Sequence, residues 1–377
     1  MDAWIESSAE RIARRAEREL EALVAVSSPS GDVEGAEEAV AISAAFMPER
    51  AEVERLTCSS PGHARDVYGR VTGEGSGRLL LLGHLDTVIG HNAHRPLERD
   101  GDRLIGSGAV DMKGGVALAL GVLRELAARP ELYEEAGLLL VTDEEWRTSG
   151  FDHAERFGAF DACLCFEAGQ LTDGDEAVIV KRKAAATLRV EASGRSAHSG
   201  SAPERGRSAL LALARVAQLV AASGDPRGPE RLTAVPTILR SGDAFNVVPD
   251  GGELICDLRA DSLAALEGLL AGLPAEHDGV ALEAAMVRAW PGMDARDATR
   301  PLIAAAAERL GRPVVAGERG GASDASHMSA RVPLTIDGFG PRGGGAHTPD
   351  EWVGTASLRT RAEVALAFVA ALLEGPG

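Results

Sequence analysis

The sequence predicts an α/β fold: a mainly parallel central sheet flanked by helices, interrupted by a smaller α+β unit inserted into the chain. Three observations carry that expectation. Short apolar runs alternate with stretches of helical spacing, the rhythm of parallel strands joined by helices. That rhythm changes after Gln170 and returns from Thr299 onward. The length, 377 residues, also exceeds what one hydrophobic core usually supports, so two domains are expected.

Taken in order, helical spacing dominates residues 8–26 and 33–46. Strands near 51–56 and 79–82 then alternate with a helix over 114–128, where Gly114 and Gly115 allow close backbone packing. Strand 138–141, helix 151–157 and strand 162–166 complete the first block. Residues 171–175 read as a linker. The second unit is expected to hold strands 177–182, 187–193, 233–240 and 252–260 with helices 208–222 and 262–273, a ferredoxin-like arrangement, before strand 281–289 leads back. Helix 302–310, the glycine-rich 320–324, strand 332–336 and helix 356–373 return to the first domain. The expected boundaries are therefore 1–177, 178–290 and 291–377, with hinges for lid closure at 170–175 and near Pro291.

Composition narrows the partners. A formal charge of −18 argues against nucleic acid or an anionic membrane surface. Lys181-Arg182-Lys183 is the clearest basic run and reads as a solvated strand end. The amino-terminal 23 residues are charged and helix-periodic, without a signal-peptide core, and no apolar run approaches the roughly 20 residues of a membrane span. Cys58, Cys163, Cys165 and Cys256 lack a disulfide framework spacing and read as reduced core thiols in a cytoplasmic protein.

The chemistry sits at the ends of the apolar runs. Gly83-His84-Leu85-Asp86-Thr87-Val88 follows 79–82, and strand alternation would place His84 and Asp86 on one face, with Asp86 bonded to the far ring nitrogen of a metal-bound His84. Asp111-Met112-Lys113-Gly114-Gly115 follows. Asp143-Glu144-Glu145 ends the run 137–141, Glu167 ends 162–166, and His347 lies in Gly343-Gly344-Gly345-Ala346-His347-Thr348-Pro349. Open α/β sheets bind ligands at the carboxyl ends of their strands. Two imidazoles and several carboxylates suit zinc, cobalt or manganese, and two adjacent glutamates can supply one ligand and one free carboxylate. The loop 340–345 reads as flexible, since no Lys-Ser or Lys-Thr follows to make a phosphate cradle.

Together with Ser27-Ser28-Pro29-Ser30-Gly31-Asp32, Gly106-Ser107-Gly108-Ala109-Val110, Ser196-Ala197-His198-Ser199-Gly200, Asn246-Val247-Val248-Pro249 and Gly321-Ala322-Ser323-Asp324-Ala325, these motifs resemble the M20 family of dinuclear zinc peptidases and deacylases. The resemblance is strongest to its carboxypeptidase G-like branch and covers nearly the whole chain. It implies two divalent cations, zinc foremost with cobalt or manganese as alternatives. His84 and Glu167 would hold one, Glu145 and His347 the other, and Asp111 would bridge them. Glu144 takes the general-base position, accepting a proton from water and returning it to the leaving amine. Asp86 takes the position that orients His84.

The inserted unit would serve as lid and dimerisation domain. Its His198 would reach the active site of a second copy to polarise the scissile carbonyl. Asn246 and Arg259 would hold the substrate's terminal carboxylate, with Arg319 and the backbone of Gly320 and Gly321 as further candidates. Arg259 could instead pair with Asp257. Trp290-Pro291 stands where glutamate-specific members carry an arginine before the proline, which implies a more apolar or aromatic substrate; Arg288 is close by in sequence. The implied reaction is cleavage of an amide beside a free carboxylate in a small peptide or N-acyl amino acid, as by a carboxypeptidase or dipeptidase. The alternative is deacylation of the acetylornithine or succinyl-diaminopimelate type. From another class, a non-catalytic metal or peptide binder would be expected to lack a ligand or the base, and here all six positions are filled.

Overall fold

The computed structural model describes residues 2–148 and 150–374. Its central sheet has six strands in the spatial order Glu52–Leu56, Asp66–Thr72, Glu135–Val141, Arg78–His84, Ala162–Cys165 and Leu334–Ile336. The last four are mutually parallel and the first two antiparallel. Strand Asp66–Thr72 was not expected from the sequence, because Gly69 and the charged Arg70 interrupt its apolar pattern.

Alternation along the strands explains why both faces had to be apolar. Leu79, Leu81, Leu138, Leu140 and Leu164 point into the larger core, shared with helices Ala3–Ala25, Gly114–Ala127 and Thr355–Leu373. Leu80, Leu82, Leu139, Val141, Cys163 and Cys165 point the other way, against Phe151, Phe157, Phe160 and Met328. Asp2 caps the first helix through the Trp4 N–H at 2.7 Å, which starts that helix earlier than its apolar spacing suggests. A β-carbon on Gly115 would sit 1.8 Å from the Phe166 carbonyl oxygen, so only glycine lets helix Gly114–Ala127 lie this close to the end of strand Ala162–Cys165.

Residues 171–175 are not a linker. Gln170–Thr172 and Asp175–Arg182 form a hairpin, turned by Asp173 and Gly174 at φ 53° and 93°. Asp175–Arg182 then pairs in parallel with Val314–Arg319 and antiparallel with Met293–Asp294. The strand expected at 177–182 in the inserted unit thus belongs to a separate sheet beside the central one, since its partners come from the carboxyl-terminal third. Arg182 is buried rather than solvated and donates to Asp337 at 2.7 Å and to the Gly321 carbonyl at 2.7 Å.

The inserted sheet runs Thr233–Ser241, Gly251–Ala260, Ala184–Ser193, Val280–Trp290 and the short Glu276–His277, all antiparallel. With helices Ala209–Ala222 and Leu263–Ala271 this is the ferredoxin-like β-α-β-β-α-β order, with the strand ending at Trp290 as its fourth long strand. Leu188, Val190, Leu254, Cys256 and Leu258 pack one face of the sheet on Leu213, Val216, Val220 and Leu266. The opposite face carries Ala185, Thr187, Asp257, Arg259 and Arg288 and looks toward the central sheet's carboxyl edge.

A small sheet closes that edge: Gly343–Gly344 pairs with Trp352–Gly354, which pairs with Arg103–Ile105. The loop expected to be flexible is therefore anchored at both ends beside residues 106–113. All four cysteines are free and buried, and no helix among the described residues is long and apolar enough to cross a membrane.

Candidate metal centre

His84 is the last residue of its strand and is buried. Its Nδ1 lies 3.0 Å from the Asp86 carbonyl oxygen, a backbone acceptor that makes Nδ1 the protonated nitrogen of the neutral ring and frees Nε2 as a ligand. Nε2 faces Asp111 Oδ1 at 3.1 Å and Glu167 Oε1 at 3.7 Å. Asp86 sits beside His84 with a carboxylate oxygen 3.4 Å from Nδ1, and the same carboxylate also accepts the backbone N–H groups of Glu144 at 3.1 Å and Glu145 at 3.0 Å. One aspartate thus braces the turn that presents both glutamates.

Asp111 occupies a loop that Glu351 holds from inside. Glu351 Oε2 accepts the Gly108 N–H at 2.9 Å, and Oε1 accepts those of Val110 and Asp111, both at 2.6 Å. Glu351 was not singled out in the sequence; an acid in a polar Thr-Pro-Asp-Glu stretch looks like solvated surface, yet it is buried. While Asp111 Oδ1 meets His84, Asp111 Oδ2 meets His347 Nε2 at 3.2 Å, and the same nitrogen is 3.4 Å from Glu145 Oε2. His347 stands at φ 65° with its side chain 56% exposed, so it approaches from the solvent side.

Three overlapping sets of three ligand atoms result, each within 4.8 Å internally: His84–Asp111–Glu167 and Asp111–Glu145–His347, which share Asp111, and His84–Glu144–Glu145. Crowded burial sets the protonation of the metal-free cluster. Burial pushes Glu144 well above the usual carboxylate range, with Glu145 and Glu167 adding to it. Burial and the Asp111 charge push Glu167 up to about 8. Burial also opposes ionisation of Asp111, but hydrogen bonds from His347 and His84 outweigh it and hold its pKa low. Hydrogen bonds to Asp111 and Glu145 push His347 up to about 10. Glu145 Oε1 is buried with no hydrogen-bond partner, a lone pair that a cation would satisfy. Two nitrogens and three carboxylates around one shared aspartate fit a pair of borderline dications.

Asp111, Glu144, Glu145, Glu167 and His347 line a cleft of about 430 Å³ between the central sheet edge and the open face of the inserted sheet, with His84 buried behind them. Arg259 and Gly321 line it, and Arg259 also pairs with Asp257 at 3.0 Å. Arg319 does not line it: its guanidinium donates to Gln170 at 3.0 Å and to the Gly169 carbonyl at 3.2 Å, across the hairpin unseen in the sequence. Gly320 is not among the lining residues either. His198 lies on an exposed loop, its Nδ1 accepting the N–H groups of Gly200 and Ser201, and the Asn246 carbonyl accepts from Ser199. Neither lines the cleft of its own chain.

Trp290 is only 1% exposed, its ring packed on His327 at 4.8 Å between centroids, with Arg288 at 4.9 Å and Arg147 at 5.4 Å from its centre. Trp290 lines the cleft from beneath Arg288, as a platform for that guanidinium. Behind the glutamates, Arg147 is fully buried between Asp143 and Asp324, pairs that sequence spacing hinted at only through the four-residue separation of Asp143 and Arg147.

The family model for peptidase family M20/M25/M40 matches residues 80–371. The chain is 27% identical over 372 residues to carboxypeptidase G2 of Pseudomonas sp. (strain RS-16), covering 93% of this chain and 87% of that protein. It is 29% identical over 340 residues to succinyl-diaminopimelate desuccinylase of Methylobacterium sp. (strain 4-46), covering 81% and 83%. Among solved structures, aminopeptidase PepT from Bacillus cereus ATCC 10987 shares the fold with a TM-score of 0.77 at 20% identity, covering 95% of this chain and 98% of that chain.

Proposed function

The chain belongs to peptidase family M20/M25/M40 and is a metal-dependent amide hydrolase; from that premise we propose that it uses two metal ions to cleave an amide beside a free carboxylate, releasing a carboxyl-terminal amino acid. The observation that carries this reading is Asp111, whose two oxygens face His84 and His347 at 3.1 and 3.2 Å. In the proposed division His84 and Glu167 would hold one cation, Glu145 and His347 would hold the other, and Asp111 would serve both. Zinc fits this donor set best, with cobalt or manganese as substitutes. When bound, such cations lower the pKa of water and polarise a carbonyl.

Glu144 then takes a proton from the attacking water and returns it to the departing amine. Burial raises its proton affinity, which suits a carboxylate that takes a proton in one step and holds it until the next. Asp86 keeps Glu144 and Glu145 in register by fixing their backbone. Arg259 offers a planar fork to the substrate carboxylate, shared with Asp257 until substrate arrives, and the Gly321 backbone borders the same space.

His198 and Asn246 enter this scheme from a second copy, paired through the inserted unit. That unit exposes Leu211, Ile238, Leu239, Phe245 and Val247, apolar surface consistent with such an interface. From the second copy, His198 would stabilise the developing oxyanion. Four reduced, buried thiols fit a cytoplasmic setting.

Deacylation of an N-acyl amino acid is the second reading, favoured by the likeness to a desuccinylase. Assaying the zinc-loaded protein on a panel of dipeptides and N-acyl amino acids decides between them. Release of carboxyl-terminal amino acids from peptides supports the first reading; turnover confined to N-acetylornithine or N-succinyl-diaminopimelate supports the second.

A further inference from the structure

A separate cavity of about 550 Å³ lies beside strand Gly343–Gly344 and shares no lining residue with the metal-site cleft. Two arginines line it. Arg319 donates only to neutral groups, Gln170 and the Gly169 carbonyl, and its Nη1 has no partner among the described residues. The guanidinium of Arg342 has one partner, Glu176 at 3.2 Å, and its Nε is buried with none. Glu176 is already taken by the fully buried Arg361 at 2.8 Å, and Arg182, beside Arg319 in the strand register, is paired with Asp337. Four guanidiniums thus share two carboxylates, in a chain whose formal charge is −18. Burial, then the neighbouring Arg182 charge, holds the pKa of Arg319 below the usual guanidinium value, as expected of a cation short of counter-charge.

Another wall is the first turn of helix Thr355–Leu373, through Ala356 and Ser357. No side chain caps this helix. The Asp102 carbonyl accepts the Thr355 N–H at 2.9 Å, while those of Ala356 and Ser357 have no acceptor outside the helix among the described residues. Asp102 also lines the cavity, but its carboxylate makes no ion pair with either arginine. Arginine forks and a helix amino terminus are complementary donors for a tetrahedral dianion, whose oxygens can accept from both forks and from the helix at once. A carboxylate, with two oxygens and one charge, would satisfy a single fork.

We propose that this cavity binds a phosphate group, held by Arg319, Arg342 and the first turn of helix Thr355–Leu373. Two sources supply such a group: inorganic phosphate, or the phosphoryl end of a small monoester, for which the cavity has room. Gly343 lines the cavity four residues before His347, so the bound anion fastens the base of the loop that carries this histidine.

Phosphate also binds metal ions, so the test separates the two places. Titration calorimetry of the zinc-loaded protein is run with inorganic phosphate and with glycerol 1-phosphate, with zinc content and thermal unfolding recorded for each variant. Binding of at least one of the two is expected to weaken about tenfold or more in Arg319→Met and in Arg342→Met, the loss of one charge-assisted hydrogen bond, and to recover in part in Arg342→Lys. Binding of both compounds identifies a monoester site; binding of inorganic phosphate alone identifies a site for the free ion. Affinity that survives both methionine variants puts the anion on the metals and overturns the assignment, as does the absence of binding. Crystals of the unaltered protein soaked in selenate, an anomalously scattering mimic of phosphate, give a reading that needs no variant to fold. A peak between Arg319, Arg342 and Ser357 is expected, and its absence would overturn the proposal.

Discussion

Glu351 accepts the backbone N–H of Asp111 at 2.6 Å, from 240 residues further along the chain. The aspartate that faces both histidines is therefore placed by a carboxylate that touches neither of them. Removing that clasp should loosen Asp111 without removing any proposed ligand. Glu351→Ala is expected to weaken metal binding by about 10- to 100-fold, the usual cost of losing a group that orients ligands. Metal retained after dialysis against a graded chelator measures it, and wild-type retention would mean that the loop holds its shape unaided.

Glu144 is assigned proton transfer and not metal binding, a division that one variant separates. Glu144→Ala is expected to keep its full metal content and lose about 10²- to 10⁴-fold in kcat. Lost metal would reassign Glu144 as a ligand; unchanged kcat would remove it from the mechanism.

Metal binding should release protons at neutral pH. In the metal-free protein His347 is raised to about 10, His84 lies well above its ordinary value and Glu167 is near 8, so all three carry protons at pH 7. Each must lose its proton to act as a ligand. Titration calorimetry in buffers of different ionisation enthalpy is expected to show release of about two or more protons per protein, and affinity should rise with pH up to about 10. A pH-independent affinity would contradict the protonation of the cluster.

Much of this site could be read in the sequence because its chemistry sits where apolar strands end. His84, Glu144 and Glu167 each follow a run of buried residues, and the structure gathers them with Asp111, Glu145 and His347 at one sheet edge. Pairing partners distant in sequence were the harder part. Asp175–Arg182 looks like the first strand of the inserted unit until Val314–Arg319 is known to lie beside it. Arg182 and Glu351 look like solvated charges because the groups that neutralise or bind them, Asp337 and the 108–111 backbone, are over 150 residues away. The bonds of Arg319 to Gly169 and Gln170 escape the sequence for the same reason, since those partners adjoin a hairpin that reads as a linker.

Arg147 supports the glutamate turn from below, and its removal would strand two buried carboxylates. Arg147→Ala is expected to cost about 3–5 kcal/mol of unfolding free energy in chemical denaturation. Burial raises the pKa of Asp143, but the hydrogen bond and charge of Arg147 prevail and hold it at about 2. That value lies below the roughly 3.9 of an unfolded aspartate, so this contribution is complete above pH 4 and is lost as pH falls through 2. A variant as stable as the parent would show that the ring of charges contributes nothing net.

The central claim is that Asp111 lies between two cations. Anomalous diffraction from crystals grown with zinc tests it directly: two peaks are expected, one bounded by His84, Asp111 and Glu167, the other by Asp111, Glu145 and His347. A single peak, or none within ligand distance of Asp111, would contradict the two-metal account.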